Sequence, residues 1–167
     1  MVTGDVAAPR RPRATYLDEA RVWRVLRSVM DPEIPVLSVV DLGIVRYVRF
    51  DGSRLHVGIT PTYSGCPATE VIHRSIREAL ARNELEDAVV ETVLSPPWTS
   101  EWLSEEGRRK LEAFGIAAPT ASAASNVACP RCRSHDVERI SEFGSTPCKA
   151  HYRCRGCLEP FDVFKCI

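Results

Sequence analysis

The 167-residue chain is 44% hydrophobic and 26% charged, close to globular averages, which excludes global disorder and permits a buried core. Its 22 Lys and Arg balance 22 Asp and Glu, removing the broad positive field expected of a dedicated nucleic-acid or anionic-membrane binder. No stretch approaches the roughly 18 consecutive apolar residues of a membrane span. The N-terminus lacks the apolar core of a secretory signal, and Arg10, Arg11 and Arg13 in a Pro/Ala-rich stretch predict a solvated tail and, by default, a cytoplasmic location.

The length accommodates one domain plus an appendage. Six of the seven Cys follow residue 128, after the Ala/Ser-rich stretch 117–126, which has too little large apolar content to pack and predicts a linker. The division is a tail (1–14), a main domain (15–116), a linker (117–127) and a Cys-rich module (128–167).

In the main domain, Thr15 and Asp18 have capping-box spacing, and Val22, Val25, Leu26 and Val29 recur with helical period, predicting a first helix that stops near Met30. Pro32 and Pro35 then impose a loop carrying Asp31 and Glu33. The runs 44–50 and 54–60 flank Asp51-Gly52 and predict a hairpin with one buried face. Cys66-Pro67 opens a second helix, whose stripe runs from Ala68 through Val71, Ile72, Ser75, Ile76 and Ala79 to Leu80. Residues 87–94 read as a third strand. A last helix spans about Ser100 to Phe114 and is capped by Gly115. Together these predict an α+β, two-layer domain.

Cys129-Pro-Arg-Cys132 and Cys154-Arg-Gly-Cys157 have the spacing of a zinc ribbon, two knuckles closing a tetrahedral four-thiolate site. A module this small buries too little apolar surface to fold without such a staple. Structural zinc is the expected metal, with an iron–sulfur cluster the competing occupant of the same ligands. His135 and His151 read as surface polar residues. Cys148 and Cys166 are left over, either as small buried hydrophobes or as thiols with a second metal or redox role.

Cys66 is the predicted N-cap of the second helix. There the macrodipole and unpaired N–H groups favour a thiolate, so the residue is a candidate reactive or metal-binding sulfur; a buried turn thiol is the alternative. Asp31, Glu33 and Asp41 bracket the Pro-rich loop as candidate acid/base groups or as turn formers. Thr60 and Thr62 read as strand-end residues, His73 as lying on the polar side of its helix, and Trp98 and Trp102 as apolar anchors or partner contacts. No nucleophile–base pair and no cofactor-binding Gly-rich loop is present.

The segment from Asp31-Pro-Glu-Ile-Pro35 through Val45, followed by Thr60-Pro-Thr-Tyr-Ser-Gly-Cys-Pro67, resembles the MIP18-like family. Trp98-Thr-Ser-Glu-Trp-Leu103, the run 141–150 and Glu159-Pro-Phe-Asp-Val-Phe-Lys-Cys166 make the whole similar to the PaaD family, D components of bacterial phenylacetyl-CoA epoxidase systems. This resemblance implies a MIP18-like domain with a C-terminal β zinc ribbon. It further implies an accessory, non-oxygenating component for aerobic phenylacetate breakdown, assisting iron–sulfur or di-iron maturation of a reductase or oxygenase subunit. By residue match, Cys66, Asp31, Glu33 and Asp41 are its iron- or cluster-transfer residues. The alternative is a ribbon-type nucleic-acid binder using the basic excess of Arg131, Arg133, Arg139, Lys149, Arg153 and Arg155.

Overall fold

The computed structural model describes residues 18–63, 65–119 and 127–165; Thr15, the tail 1–14, linker positions 120–126 and Cys166 lie outside them. Helix α1 (Glu19–Leu26) is capped by Asp18, whose extended backbone takes it out of the helix and whose carboxylate accepts from the Ala20 N–H at 2.9 Å. A capping box led by Thr15 would have put Asp18 inside the first turn. The helix also ends before Met30. The Ser28 hydroxyl donates back to the Val25 carbonyl at 2.7 Å, and tight bonds from Ser28 and Val29 close the last turn.

The Pro-rich loop is drawn shut at its base. Met30 and Ser38 form an isolated antiparallel bridge, the Asp31 N–H donates to the Leu37 carbonyl at 2.8 Å, and the Val39 N–H donates to that of Val29 at 2.9 Å. Ile34, Leu37 and Val39 are completely buried, so the loop is an inward-folded plug of the core.

Strands β1 (Val45–Asp51) and β2 (Arg54–Ile59) form the expected antiparallel hairpin, turning at Gly52, whose φ is +58°. Strand β3 (Val89–Thr92) pairs parallel to β2, which requires a crossover. Helix α2 (Thr69–Ala81) supplies it, burying Ile72, Ile76, Ala79 and Leu80. His73 is buried with them, contrary to the polar position its spacing suggests, because its Nε2 lies 2.9 Å from the Thr92 hydroxyl of β3.

The last helix is divided. A 3₁₀ turn (Ser100–Trp102) is followed by extended Leu103, and helix α3 (Glu105–Ala113) starts from Ser104, whose hydroxyl accepts from the Gly107 N–H at 2.9 Å. Ser104 is a better N-cap than anything the apolar spacing reveals. Gly115 (φ +86°) follows α3, as expected.

A second sheet contains β4 (Ile116–Ala117), β5 (Val137–Ser141), β6 (Lys149–Cys154) and β7 (Pro160–Phe164) in the order β4-β7-β6-β5. Ala117, assigned by composition to the linker, is instead a strand residue paired parallel to Val163. The two sheets also share apolar packing: Phe164 and Cys148 belong to the same buried cluster as Leu26, Ile34, Leu37 and Ile59. No described helix is long and apolar enough to cross a membrane.

Asp41 ties the loop region to α3. Its carboxylate accepts from the Ser38 N–H at 3.0 Å and from Lys110 Nζ at 2.7 Å, and its carbonyl accepts from the Ser104 N–H at 2.9 Å. Burial alone would raise its pKa, but Lys110 and Ser38 together hold it below the usual carboxylate range. A depressed carboxylate stabilises the fold above its unfolded pKa of about 3.9, and that stabilisation is lost as pH falls through the folded value. Urea titrations should therefore find Asp41→Asn less stable than the parent at pH 7, with the gap narrowing at pH 3. A Gly43→Ala substitution tests a second constraint. Gly43 has φ +66°, and an added Cβ would fall on the Trp102 carbonyl, so a loss of at least roughly 1–3 kcal/mol is expected in the same titration.

Candidate functional site

Two separate sulfur sites emerge. In the second sheet, the Sγ atoms of Cys129, Cys132, Cys154 and Cys157 all lie within 4.8 Å of one another. The Cys129–Cys157 and Cys132–Cys154 separations are 3.7 and 3.5 Å, far longer than a disulfide. They match the roughly 3.8 Å edge of a tetrahedron built with metal–sulfur bonds of about 2.3 Å. The donor set therefore fits a coordinatively closed metal centre.

The knuckles are built alike. In each, the residue after the second Cys adopts a left-handed backbone, Arg133 at φ 64° and Leu158 at φ 62°. The Cys129 N–H then bonds the Ser134 carbonyl, and the Cys154 N–H that of Glu159, each at 2.9 Å. The Cys157 N–H donates to the Cys154 sulfur at 3.5 Å, and this bond leads the causes that lower the Cys154 thiol to about 7. Cys157 receives a backbone bond from Glu159 that lowers its pKa, but desolvation and the three surrounding thiols prevail and push it up to about 12. Four sulfurs this close do not all ionise without a cation among them.

The second site is a half-enclosed cavity where the two sheets' units meet, lined among others by Asp31, Glu33, Thr60, Cys66, Cys148 and Phe164. The predicted Cys66, Asp31 and Glu33 are thus brought together, and Cys148, left open by the sequence, joins them from the ribbon. The Cys148 thiol donates to Glu33 Oε2 at 3.8 Å. Asp31 Oδ1 accepts from the Glu33 and Ile34 N–H groups at 2.9 and 2.7 Å, which fixes the loop that carries both acids. Burial raises the pKa of Asp31 despite those two bonds. Burial, aided by neighbouring Asp31, raises that of Glu33 as well, and burial also pushes the Cys148 thiol up.

Asp41 does not line this cavity; its partners are Ser38, Ser104 and Lys110. Its proximity to the acidic loop in sequence is not proximity in space. Cys66 is also not the helix cap. Gly65 (φ +84°) redirects the chain, the Thr69 N–H bonds the Cys66 carbonyl at 3.1 Å as a separate turn, and Ala68 is the cap of α2.

Tyr63 is a further neighbour, to which the sequence alone assigns no role. Its hydroxyl is buried without a hydrogen bond of good geometry. Burial first, then Cys66, Glu33 and Cys148, push its pKa up to about 12. Its sequence signal is its place in the Thr60–Pro67 run, three residues before Cys66.

The six basic residues behind the nucleic-acid alternative are all engaged. Arg131 pairs with Glu159, Arg133 with Glu112, Arg139 with Glu142, Arg153 with Glu138, Arg155 with Glu138 and Asp136, and buried Lys149 with Asp162. Trp98 is a buried anchor, its Nε1 donating to the Leu42 carbonyl at 2.9 Å, with its ring 6.0 Å from that of Phe164. Trp102 lies under the Arg46 guanidinium, 3.4 Å from its carbon.

Comparison with known proteins follows the same partition. A family described as "Iron-sulfur cluster assembly protein" matches residues 19–95, and one described as "PaaD zinc beta ribbon domain" matches residues 117–165. The chain is 48% identical over 151 residues to the D component of the "Putative 1,2-phenylacetyl-CoA epoxidase" of Escherichia coli (strain K12), covering 87% of this chain and 92% of that one. It is 40% identical over 92 residues to the "Fe-S protein maturation auxiliary factor YitW" of Bacillus subtilis (strain 168), covering 54% of this chain and 89% of that protein. Among solved structures, a DUF59 domain from Bacillus anthracis superposes with a TM-score of 0.52 at 30% identity, over 56% of this chain and 90% of its own. An iron–sulfur-assembly-type α+β domain continued by a four-Cys ribbon, matched along most of its length by the D component of an epoxidase, places the chain in the PaaD family of phenylacetyl-CoA epoxidase subunits.

Proposed function

We propose that the chain is a non-catalytic accessory subunit of a 1,2-phenylacetyl-CoA epoxidase system of aerobic phenylacetate catabolism. It receives iron or an iron–sulfur cluster at the Cys66 cavity and delivers it to a reductase or oxygenase partner in the cytoplasm. The observation that carries this reading is the coexistence of one closed four-sulfur centre with a second, accessible thiol flanked by Asp31 and Glu33. Saturated tetrahedral ligation retains a metal, whereas an incomplete donor set in a cavity can exchange one.

In this account the ribbon metal is zinc and its role is structural. The four cysteines hold the two knuckles together, contributing on the order of 10–16 kcal/mol of apparent binding free energy at neutral pH. Asp31, fixed by its two backbone bonds, and Glu33 supply negative charge beside the cargo. The reactive sulfur is Cys66, so removing it should abolish loading and leave the fold intact. The ribbon-type nucleic-acid reading gains nothing from a basic surface already neutralised by Glu and Asp partners.

Anaerobic reconstitution with iron and sulfide, read by Mössbauer spectroscopy, checks the transfer site: the parent protein should take up iron beyond the ribbon metal and Cys66→Ser should not. Equal iron uptake by both proteins would remove Cys66 from the mechanism. Metal analysis supplies a second expectation. Cys154→Ser should lose close to one equivalent of zinc and the β5–β7 signal in amide exchange. Because Phe164 is buried in the shared core, its thermal transition should fall as a whole rather than split.

A further inference from the structure

The cavity at Cys66 is walled on one side by the ribbon, and the ribbon residue there is a second thiol. Cys148 immediately precedes β6, with its backbone held by a 3.0 Å bond from the Lys165 N–H to its carbonyl. Its sulfur is buried and directed at Glu33 of the opposite unit. The Thr146 hydroxyl lies 3.0 Å from that sulfur. The buried Tyr63 hydroxyl, without a hydrogen bond of good geometry among the described residues, lies beside the same group of Cys66, Glu33 and Cys148. Two thiols and two carboxylates converge here, and the nearby cation, Lys149, is already committed to Asp162 at 3.3 Å. Such a set favours a metal cation.

Resting on the proposed role of Cys66, we propose that Cys148 is the second sulfur ligand of the cargo site. Cys66, Cys148 and Glu33 together then hold a single divalent, sulfur-tolerant ion such as ferrous iron across the junction of the two units. The free space within the cavity is about 20 Å³. That suffices for one water-sized body, the scale of a single ion. Among the described residues the ribbon cysteines are the one group of three or more such donors already close enough to hold a metal, so this donor set must contract to bind. Contraction costs affinity, and a delivery site has to release its ion.

The test uses the full-length chain with its ribbon filled by zinc, under anaerobic conditions, and cobalt(II) as the probe. The parent should bind one further cobalt with sulfur-to-metal charge-transfer absorption, and X-ray absorption should count two sulfurs around it. Cys148→Ser should retain its zinc, lose roughly half of that absorption and bind cobalt more than about tenfold more weakly, since losing a direct ligand exceeds the cost of losing an outer partner. A single sulfur in the parent spectrum, or an unaltered Cys148→Ser, would overturn the inference while leaving Cys66 in place. If Cys66→Ser binds as the parent does, or the parent takes up no cobalt beyond the ribbon, the underlying reading fails as well. The sulfur count on the parent protein decides the question even if Cys148→Ser folds poorly.

Discussion

The burial of Phe164 in the core of the preceding α+β unit is the interaction on which the rest of the architecture depends. The residue ends β7, a strand of the ribbon sheet, yet it is 1% exposed and packs in one cluster with Leu26, Ile34, Leu37 and Ile59. Full burial of such a side chain is worth roughly 1.5–3 kcal/mol, a large fraction of ordinary domain stability. It also fixes Cys148, because β7 and β6 are locked in antiparallel register from Lys149↔Phe164 to Arg153↔Pro160. The ribbon is therefore a wall of the first unit's cavity, and the two units share one buried cluster.

Sulfur is set in two different surroundings in this body, and the difference lies in how complete they are. Around the four ribbon thiols everything converges: matched knuckles, left-handed residues at Arg133 and Leu158, and an N–H directed at Cys154. Around Cys66 and Cys148 the donors are fewer, mixed with carboxylates and partly open to solvent. A closed shell of thiolates resists exchange. In the proposed cargo site, a loose set that has to be pulled together by its ion would hold it only as long as no better shell is offered.

Much of this was legible in the sequence, and what was not has definable causes. Chemistry carried by local spacing was readable: the two Cys-x-x-Cys knuckles, the Gly52 hairpin and the stripe of α2 each depend on residues close in the chain. Features set by tertiary partners were not. Asp41 reads like Asp31 and Glu33 until α3 brings Lys110 to it. His73 occupies a polar helical phase until β3 offers Thr92. The basic excess of the ribbon looks like a phosphate-binding surface because several of its partners are distant in sequence, Glu112 of α3 for Arg133, Glu138 of β5 for Arg153 and Glu159 for Arg131. Cys148 lay in the run 141–150 that carries the resemblance, but nothing there revealed its neighbours, since Glu33 and Cys66 are more than eighty residues away.

Strand β6 joins these threads. It is preceded by Cys148, at the cavity, and ends in Cys154, in the closed metal centre. Six residues at about 3.3 Å each separate the two sulfur sites by roughly 20 Å along the strand. A strand hydrogen-bonded on both sides, to β5 and to β7, transmits position without much give. A metal at the Cys154 end would therefore do more than keep a small module folded. By holding the knuckle it would set the register of β6 and β7, and through them the depth at which Phe164 and the Cys148 thiol enter the other unit. On the proposed exchange role, donors that close on an ion need a firm side to close against. The ribbon is placed to supply it, with Cys148 and Phe164 on one wall of the cavity and the Asp31–Glu33 loop and the turn before α2 on the others.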